Sequence, residues 1–120
     1  MSSFKITGGQ RLQGDVHPQG AKNEVLQILC AVLLTEETVR VSNIPDIVDV
    51  NKLIEILGDF GVLVSKHGHG DFSFCAKDVD VNFLFSETYK KKGASLRGSI
   101  MLVGPLLARF GKGYIPKPGG

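Results

Sequence analysis

Cysteine is scarce in this sequence. Cys30 and Cys75 are its only two, far apart, without CxxC spacing and without the companion ligands a zinc site needs. Cys30 lies in an apolar run, where a thiol behaves as a small hydrophobe, and nothing in the pattern supports a disulfide. An excess of charge is equally lacking. Fourteen Lys and Arg against twelve Asp and Glu leave a formal net charge of +2, too little to draw nucleic acid by bulk attraction. Any anion must therefore be held by local placement of cations. The longest hydrophobic run, Ile28 to Leu34, falls far short of the ~20 residues that span a bilayer. Met1-Ser2-Ser3-Phe4-Lys5 lacks the basic region and apolar stretch of a secretory signal. The expectation is a cytoplasmic protein whose partners are neither membranes nor nucleic acids. No Gly-x-x-x-x-Gly-Lys-Ser/Thr segment is present, which argues against a nucleotide P-loop.

What remains describes a soluble globular chain: 120 residues, 42% hydrophobic and 22% charged, within the size of one ordinary domain. Phe4 to Ile6 and Gly14 to Pro18 read as short strands separated by the turn chemistry of Gly8-Gly9. A first helix is predicted from about Asn23 to Thr35. Val25, Leu26, Ile28, Leu29, Val32, Leu33 and Leu34 cover most of its circumference, so it belongs inside a larger body. Thr38 to Ile44 reads as a strand broken by Pro45-Asp46. A second helix near Val48 to Phe60 carries Leu53, Ile54, Leu57 and Phe60 at helical spacing, and Gly61 ends it. Strands at Val62 to Lys66 and Phe72 to Ala76 are joined through His67-Gly68-His69-Gly70-Asp71. That turn has two neighbouring histidines but only one carboxylate, and reads as an exposed hairpin rather than a metal loop. A polar and aromatic stretch from Lys77 to Lys92 leads to a third helix, about Ser95 to Phe110, and Tyr114-Ile115-Pro116 begins another extended segment.

Aligning the first and third helices gives an internal repeat with an offset of 73 residues. It lays Gly20-Ala21 on Gly93-Ala94, Leu29 on Leu102, Leu33-Leu34 on Leu106-Leu107 and Pro45 on Pro118. The chain would then hold one whole unit and the opening of a second, and no single unit would close its own core.

The chemistry concentrates at Gly20-Ala21-Lys22-Asn23. A helix N-terminus carries unpaired N–H groups and partial positive charge, so a lysine there is unfavourable unless an anion arrives from outside. The glycine before it would let backbone approach a ligand. The plain alternative is a solvated lysine on a first turn. At the third helix, Lys90, Lys91 and Lys92 precede Gly93-Ala94-Ser95 and read as a solvated loop. Arg97 stands in the first turn, where a guanidinium can grip phosphate or carboxylate through two parallel hydrogen bonds. Lys22 and Arg97 together look like two jaws of one anion site.

Several blocks in order carry a family resemblance: Leu12-Gln13-Gly14-Asp15-Val16, Gly20-Ala21-Lys22-Asn23, Arg97-Gly98-Ser99-Ile100, Gly104-Pro105-Leu106-Leu107-Ala108-Arg109-Phe110-Gly111 and Pro118-Gly119-Gly120. Over almost the whole chain these resemble the UDP-N-acetylglucosamine 1-carboxyvinyltransferases. The related shikimate-pathway enzyme has a serine-rich version of the lysine motif, so Asn23 favours the sugar-nucleotide family. The resemblance implies an α/β fold of repeated βαβαββ-type units, an inside-out α/β barrel, incomplete in this chain. Residues 1–20 would be strands of the second domain, and 21–120 the first part of the catalytic domain. The implied activity is transfer of the enolpyruvyl group of phosphoenolpyruvate to the 3-hydroxyl of UDP-N-acetylglucosamine, the first committed step of peptidoglycan precursor synthesis. It runs by addition and elimination, with no metal or organic cofactor. By this match Lys22 holds the phosphoenolpyruvate anion and steadies negative charge during addition, Asn23 contacts the sugar nucleotide, and Arg97 binds on the anion or nucleotide side of the cleft.

The sequence departs from the family in places. Gly98 and Met101 stand where alanine and tryptophan are familiar in some members. In the family, Pro-Gly-Gly leads into a loop bearing the general acid, a cysteine or aspartate, which is expected just after Gly120. Neither Cys30 nor Cys75 takes that role. The 120-residue chain alone is therefore expected to be inactive, and to self-associate through unpaired strands or be one piece of a longer polypeptide. Two other readings stay open: a shikimate-3-phosphate enolpyruvyl transferase, and a non-catalytic module that binds an anion or sugar nucleotide.

Overall fold

The computed structural model describes residues 2–117. Four α-helices and three strands follow in the order α1 (Lys22–Ala31), β1 (Thr38–Val41), α2 (Val48–Asp59), β2 (Leu63–Gly68), β3 (Asp71–Cys75), α3 (Glu87–Ala94) and α4 (Val103–Phe110). Short 3-10 turns lie at Val32–Leu34, Val81–Phe85 and Arg97–Leu102. The strands make one antiparallel sheet in the order β1-β3-β2. Phe74 of the central strand stands opposite Val39 on one side and Val64 on the other. Alternation along these strands turns Val39, Val41, Val64, Phe72 and Phe74 toward the helices. Arg40, on the other face, donates two hydrogen bonds to the Asp71 carboxylate, at 3.0 and 2.7 Å.

The helices pack over that sheet because their apolar stripes converge. Val25, Leu26, Leu29 and Cys30 of α1, Val50, Leu53, Ile56 and Leu57 of α2, and Leu106 of α4 are buried together. Beside them Phe60, Phe83 and Tyr89 meet edge to face, with ring centroids 4.9 to 5.7 Å apart. The Tyr89 hydroxyl donates to the carbonyl of Tyr114 at 2.9 Å, which ties the segment after α4 onto the core. Ile28 and Leu34 stay 38% and 52% exposed, so the apolar circumference of the first helix is only partly covered.

Arg109, in the last turn of α4, joins three parts of the chain. Its guanidinium donates to the carbonyls of Leu33 at 2.9 Å, Ala76 at 2.5 Å and Lys77 at 3.3 Å, with the side chain 15% exposed. This clamps the end of the first helical run and the end of β3 to α4.

Four expectations from the sequence are corrected. Phe4–Ile6 and Gly14–Pro18 form no strands: residues 2–19 are exposed, without regular structure and unpaired with the sheet. The radius of gyration, 17.5 Å, exceeds the ~14 Å of a compact chain of this length. The third helix does not run from Ser95 to Phe110. Pro105 has no N–H to give to the carbonyl four residues back, so it is tolerated only in a first turn, and α4 starts at Val103. The stretch before it is not a loop. Ser86 caps α3, its Oγ accepting from the Tyr89 N–H at 3.1 Å. Consequently Lys90, Lys91 and Lys92 are helical, and Lys92 bridges to Glu55 at 2.8 Å and Asp59 at 2.5 Å on α2.

The offset of 73 matches one pair of glycine contacts but not the local structure around them. Gly20-Ala21 precedes α1, whereas Gly93-Ala94 closes α3. A Cβ at Gly20 would overlap the carbonyl oxygen of Asn43, and one at Gly93 would lie 2.7 Å from the ring of Pro116. The offset of 73 carries Gly20 to Gly93 and Asn43 to Pro116, so both glycines admit equivalent neighbours. Pro118, Gly119 and Gly120 lie outside the described residues, and with them the Pro-Gly-Gly block and the match of Pro45 to Pro118.

Candidate functional site

The residues singled out as site candidates meet at one place. Lys22 opens α1, and Ala21 before it has no side chain to cap the helix, so the first N–H groups of α1 are left to solvent or a ligand. Gly20 is required here, but by the chain itself: the turn at Asn43 packs directly on it. The expected close approach is to protein backbone, and it fixes where α1 begins. Asn43 adopts the left-handed conformation, φ 57°, which asparagine tolerates better than most residues.

Arg97 arrives from the other end of the chain. It opens a 3-10 turn rather than an α-helix, so the expected conflict between its charge and a helix dipole applies only at Lys22. The turn is fixed by Ser99, a buried polar residue whose Oγ donates to the carbonyl of Gly93 at 2.8 Å. Lys22, Asn23 and Arg97 together line a cleft of about 380 Å³, with Leu26, Gln27 and Met101 on its walls. Gly98 and Met101, the two positions of departure from the family pattern, line this same cleft. Among the described residues Arg97 makes no ion pair.

The cleft also holds a residue that sequence reasoning missed. Asp49, in the first turn of α2, places Oδ2 2.6 Å from the Lys22 Nζ. An acid in a first turn is an ordinary feature of helices, so nothing in the sequence marked it out. Only the approach of α1 to α2 reveals the pair.

A larger depression, about 680 Å³, lies around Arg109, Glu36, Lys77, Asp78 and Asp80. It is a poor anion site, since three carboxylates flank it and the arginine is committed to backbone carbonyls. Among the described residues no three His, Cys, Asp or Glu side chains come together as a metal-binding group, and no helix is long and apolar enough to cross a membrane. Cys30 is buried, and burial pushes its thiol up to about 12, which leaves it protonated and unreactive.

Helices packed on a small antiparallel sheet place the chain structurally among the enolpyruvyl transferases. The enolpyruvyl transferase NikO from Streptomyces tendae superposes with a TM-score of 0.68 at 28% sequence identity, over 87% of this chain and 23% of that one. The chain belongs to the family of EPSP synthase (3-phosphoshikimate 1-carboxyvinyltransferase), whose model matches residues 6–120. Similar over its whole length are the UDP-N-acetylglucosamine 1-carboxyvinyltransferases of Bacteroides fragilis, 61% identical, and Porphyromonas gingivalis, 49% identical. The chain spans 28% of the length of these curated relatives.

Proposed function

We propose that this chain contributes to transfer of the enolpyruvyl group of phosphoenolpyruvate to the 3-hydroxyl of UDP-N-acetylglucosamine. The observation that carries the reading is the convergence of Lys22, Asn23 and Arg97 on one cleft, in a chain 61% identical to a relative named for that activity. Lys22 binds the phosphoenolpyruvate anion, Asn23 contacts the sugar nucleotide, and Arg97 neutralises charge on the anion or nucleotide side. In the addition step the sugar 3-hydroxyl gives its proton to a general base and its oxygen bonds to C2 of phosphoenolpyruvate, while the C2–C3 π pair takes a proton at C3. In the elimination, C3 loses a proton and phosphate departs, carrying the C–O bonding pair. A fixed ammonium beside the phosphate stabilises charge through both steps. The acid that protonates C3 is assigned to the segment after Gly120.

The same reading places the reaction in the cytoplasm, at the start of peptidoglycan precursor synthesis. It assigns residues 1–20 to a second domain, where Phe4 and Val16, 97% and 91% exposed, would find partners. Residues 21–120 form the first part of the catalytic domain. Without such partners the exposed apolar side chains of Phe4, Ile6, Leu12 and Val16 favour self-association of the chain.

The family model is named for the 3-phosphoshikimate enzyme, so the acceptor is the point to test. Phosphate release from phosphoenolpyruvate is measured in the full-length protein that carries this sequence, with UDP-N-acetylglucosamine or shikimate 3-phosphate as acceptor. Release with the sugar nucleotide alone, lowered at least a hundredfold in Lys22→Ala, is expected. Release with shikimate 3-phosphate instead would reassign the acceptor. Binding without release under either condition would make the chain part of a non-catalytic module.

A further inference from the structure

We propose that Asp49 is the positioning residue for Lys22, holding its ammonium at the wall of the anion cleft. The proposal rests on the reading of Lys22 as the partner of phosphoenolpyruvate.

A lysine on the first turn of a helix has a flexible four-carbon stem and three rotatable donors. Left alone it would sample many rotamers, and Lys22, with its side chain 49% exposed, is not packed into one. Asp49 restricts that freedom by pairing with the ammonium. Its own position is firm: it sits in the first turn of α2, where the helix dipole favours a carboxylate. The entry to that helix is fixed by a hydrogen bond from the Asn51 side chain to Asp46 at 2.8 Å, and by the Ile47 N–H bonded to the carbonyl of Pro45 at 3.1 Å. The carboxylate takes one ammonium donor at 2.6 Å. Among the described residues no other group pairs with Nζ, so its remaining donors are left for an incoming anion.

This arrangement has two opposed electrostatic effects. The carboxylate orients Lys22, but its own charge repels an anion in the same cleft. Orientation counts most in the transition state, whereas repulsion acts on ground-state binding as well. Asp49→Asn, which keeps the shape and removes the charge, therefore lowers kcat without raising the KM for phosphoenolpyruvate. A drop of roughly 10- to 100-fold in kcat is expected, the scale on which a misplaced catalytic group acts.

The experiment uses the full-length protein that carries this sequence. Kinetics are measured for the wild type, Asp49→Asn, Asp49→Glu and Lys22→Ala, together with Tm and the rate at which an amine-reactive reagent labels Lys22, read by peptide mass spectrometry. The expected result is a fall in kcat at unchanged or lower KM in Asp49→Asn, with unchanged Tm and several-fold faster labelling of Lys22 alone. Partial recovery in Asp49→Glu is also expected, since it restores the charge on a longer stem. A kcat within twofold of wild type, with Lys22 labelled at its original rate, overturns the proposal. An increased KM at unchanged kcat also overturns it, since Asp49 would then serve binding alone. If the wild type releases no phosphate, or Lys22→Ala retains full activity, the proposed function fails instead, and the labelling comparison still decides whether Asp49 holds Lys22.

Discussion

Replacing Arg109 by methionine keeps a long unbranched stem and removes only the guanidinium. Four carbonyls, those of Leu33, Thr35, Ala76 and Lys77, then lose their donor, and Glu36 its cation, in a place where the side chain is 15% exposed. A hydrogen bond to a charged group contributes ~1.5–3 kcal/mol when mostly shielded. Water reaches some of the vacated carbonyls, and the bonds share one donor group, so the expected loss is about 3 kcal/mol rather than the full sum. With an unfolding entropy of ~2.1 cal/mol/K per residue, 120 residues give about 0.25 kcal/mol/K. The loss then corresponds to a Tm about 12 °C lower. The control is Arg40→Met, which breaks a bidentate pair whose arginine is 63% exposed; solvent screens such a surface pair, so its loss should shift the melt far less. Thermal melts followed by circular dichroism compare the two. Equal shifts in both variants would refute the claim that the Arg109 clamp holds the first helical run, β3 and α4 together.

Two further outcomes follow from packing and burial. Gly20→Ala forces a Cβ into the carbonyl oxygen of Asn43 and should cost ~1–3 kcal/mol in a melt. Gly104→Ala, where nothing lies within 4 Å, should raise stability by ~0.5–1 kcal/mol. Cys30, with its thiol raised from 9.0 to about 12 by burial, should resist iodoacetamide in the folded protein and react in urea. Because the folded state holds that proton more tightly, stability is fully present below pH 9 and declines as pH rises from there toward 12; a pH series of urea melts reads the slope.

The legible parts of the fold were those where one periodicity dominates. Leu53, Ile54, Leu57 and Phe60 announce α2, and the His67-Gly68-His69-Gly70-Asp71 segment between two apolar stretches announces the hairpin. α3 escaped because Tyr89 is its one buried large side chain, so no apolar stripe outweighs its lysines, although Ser86 followed by Glu87 was a readable start signal. The false continuity of the third helix came from counting leucines across Pro105. At the cleft, Lys22 and Arg97 were visible as cations in the first turns of two expected helices, and the internal repeat that aligned those helices suggested one anion site. Asp49 was invisible because an acid at a helix start has an ordinary local explanation, and only tertiary structure puts it 2.6 Å from Lys22.

The sheet order bears on how the molecule assembles in time. β2 and β3 are joined by a two-residue turn, and hairpins of this kind close within microseconds. β1 must then dock on the free edge of β3 across the intervening α2, a longer loop with a higher entropic cost. The Arg109 clamp comes later still, since it joins residues separated by 33 and 76 positions. Residues 22, 49 and 97 meet only when these long-range contacts exist. A refolding chain should therefore gain its sheet signal before it gains any capacity to hold an anion.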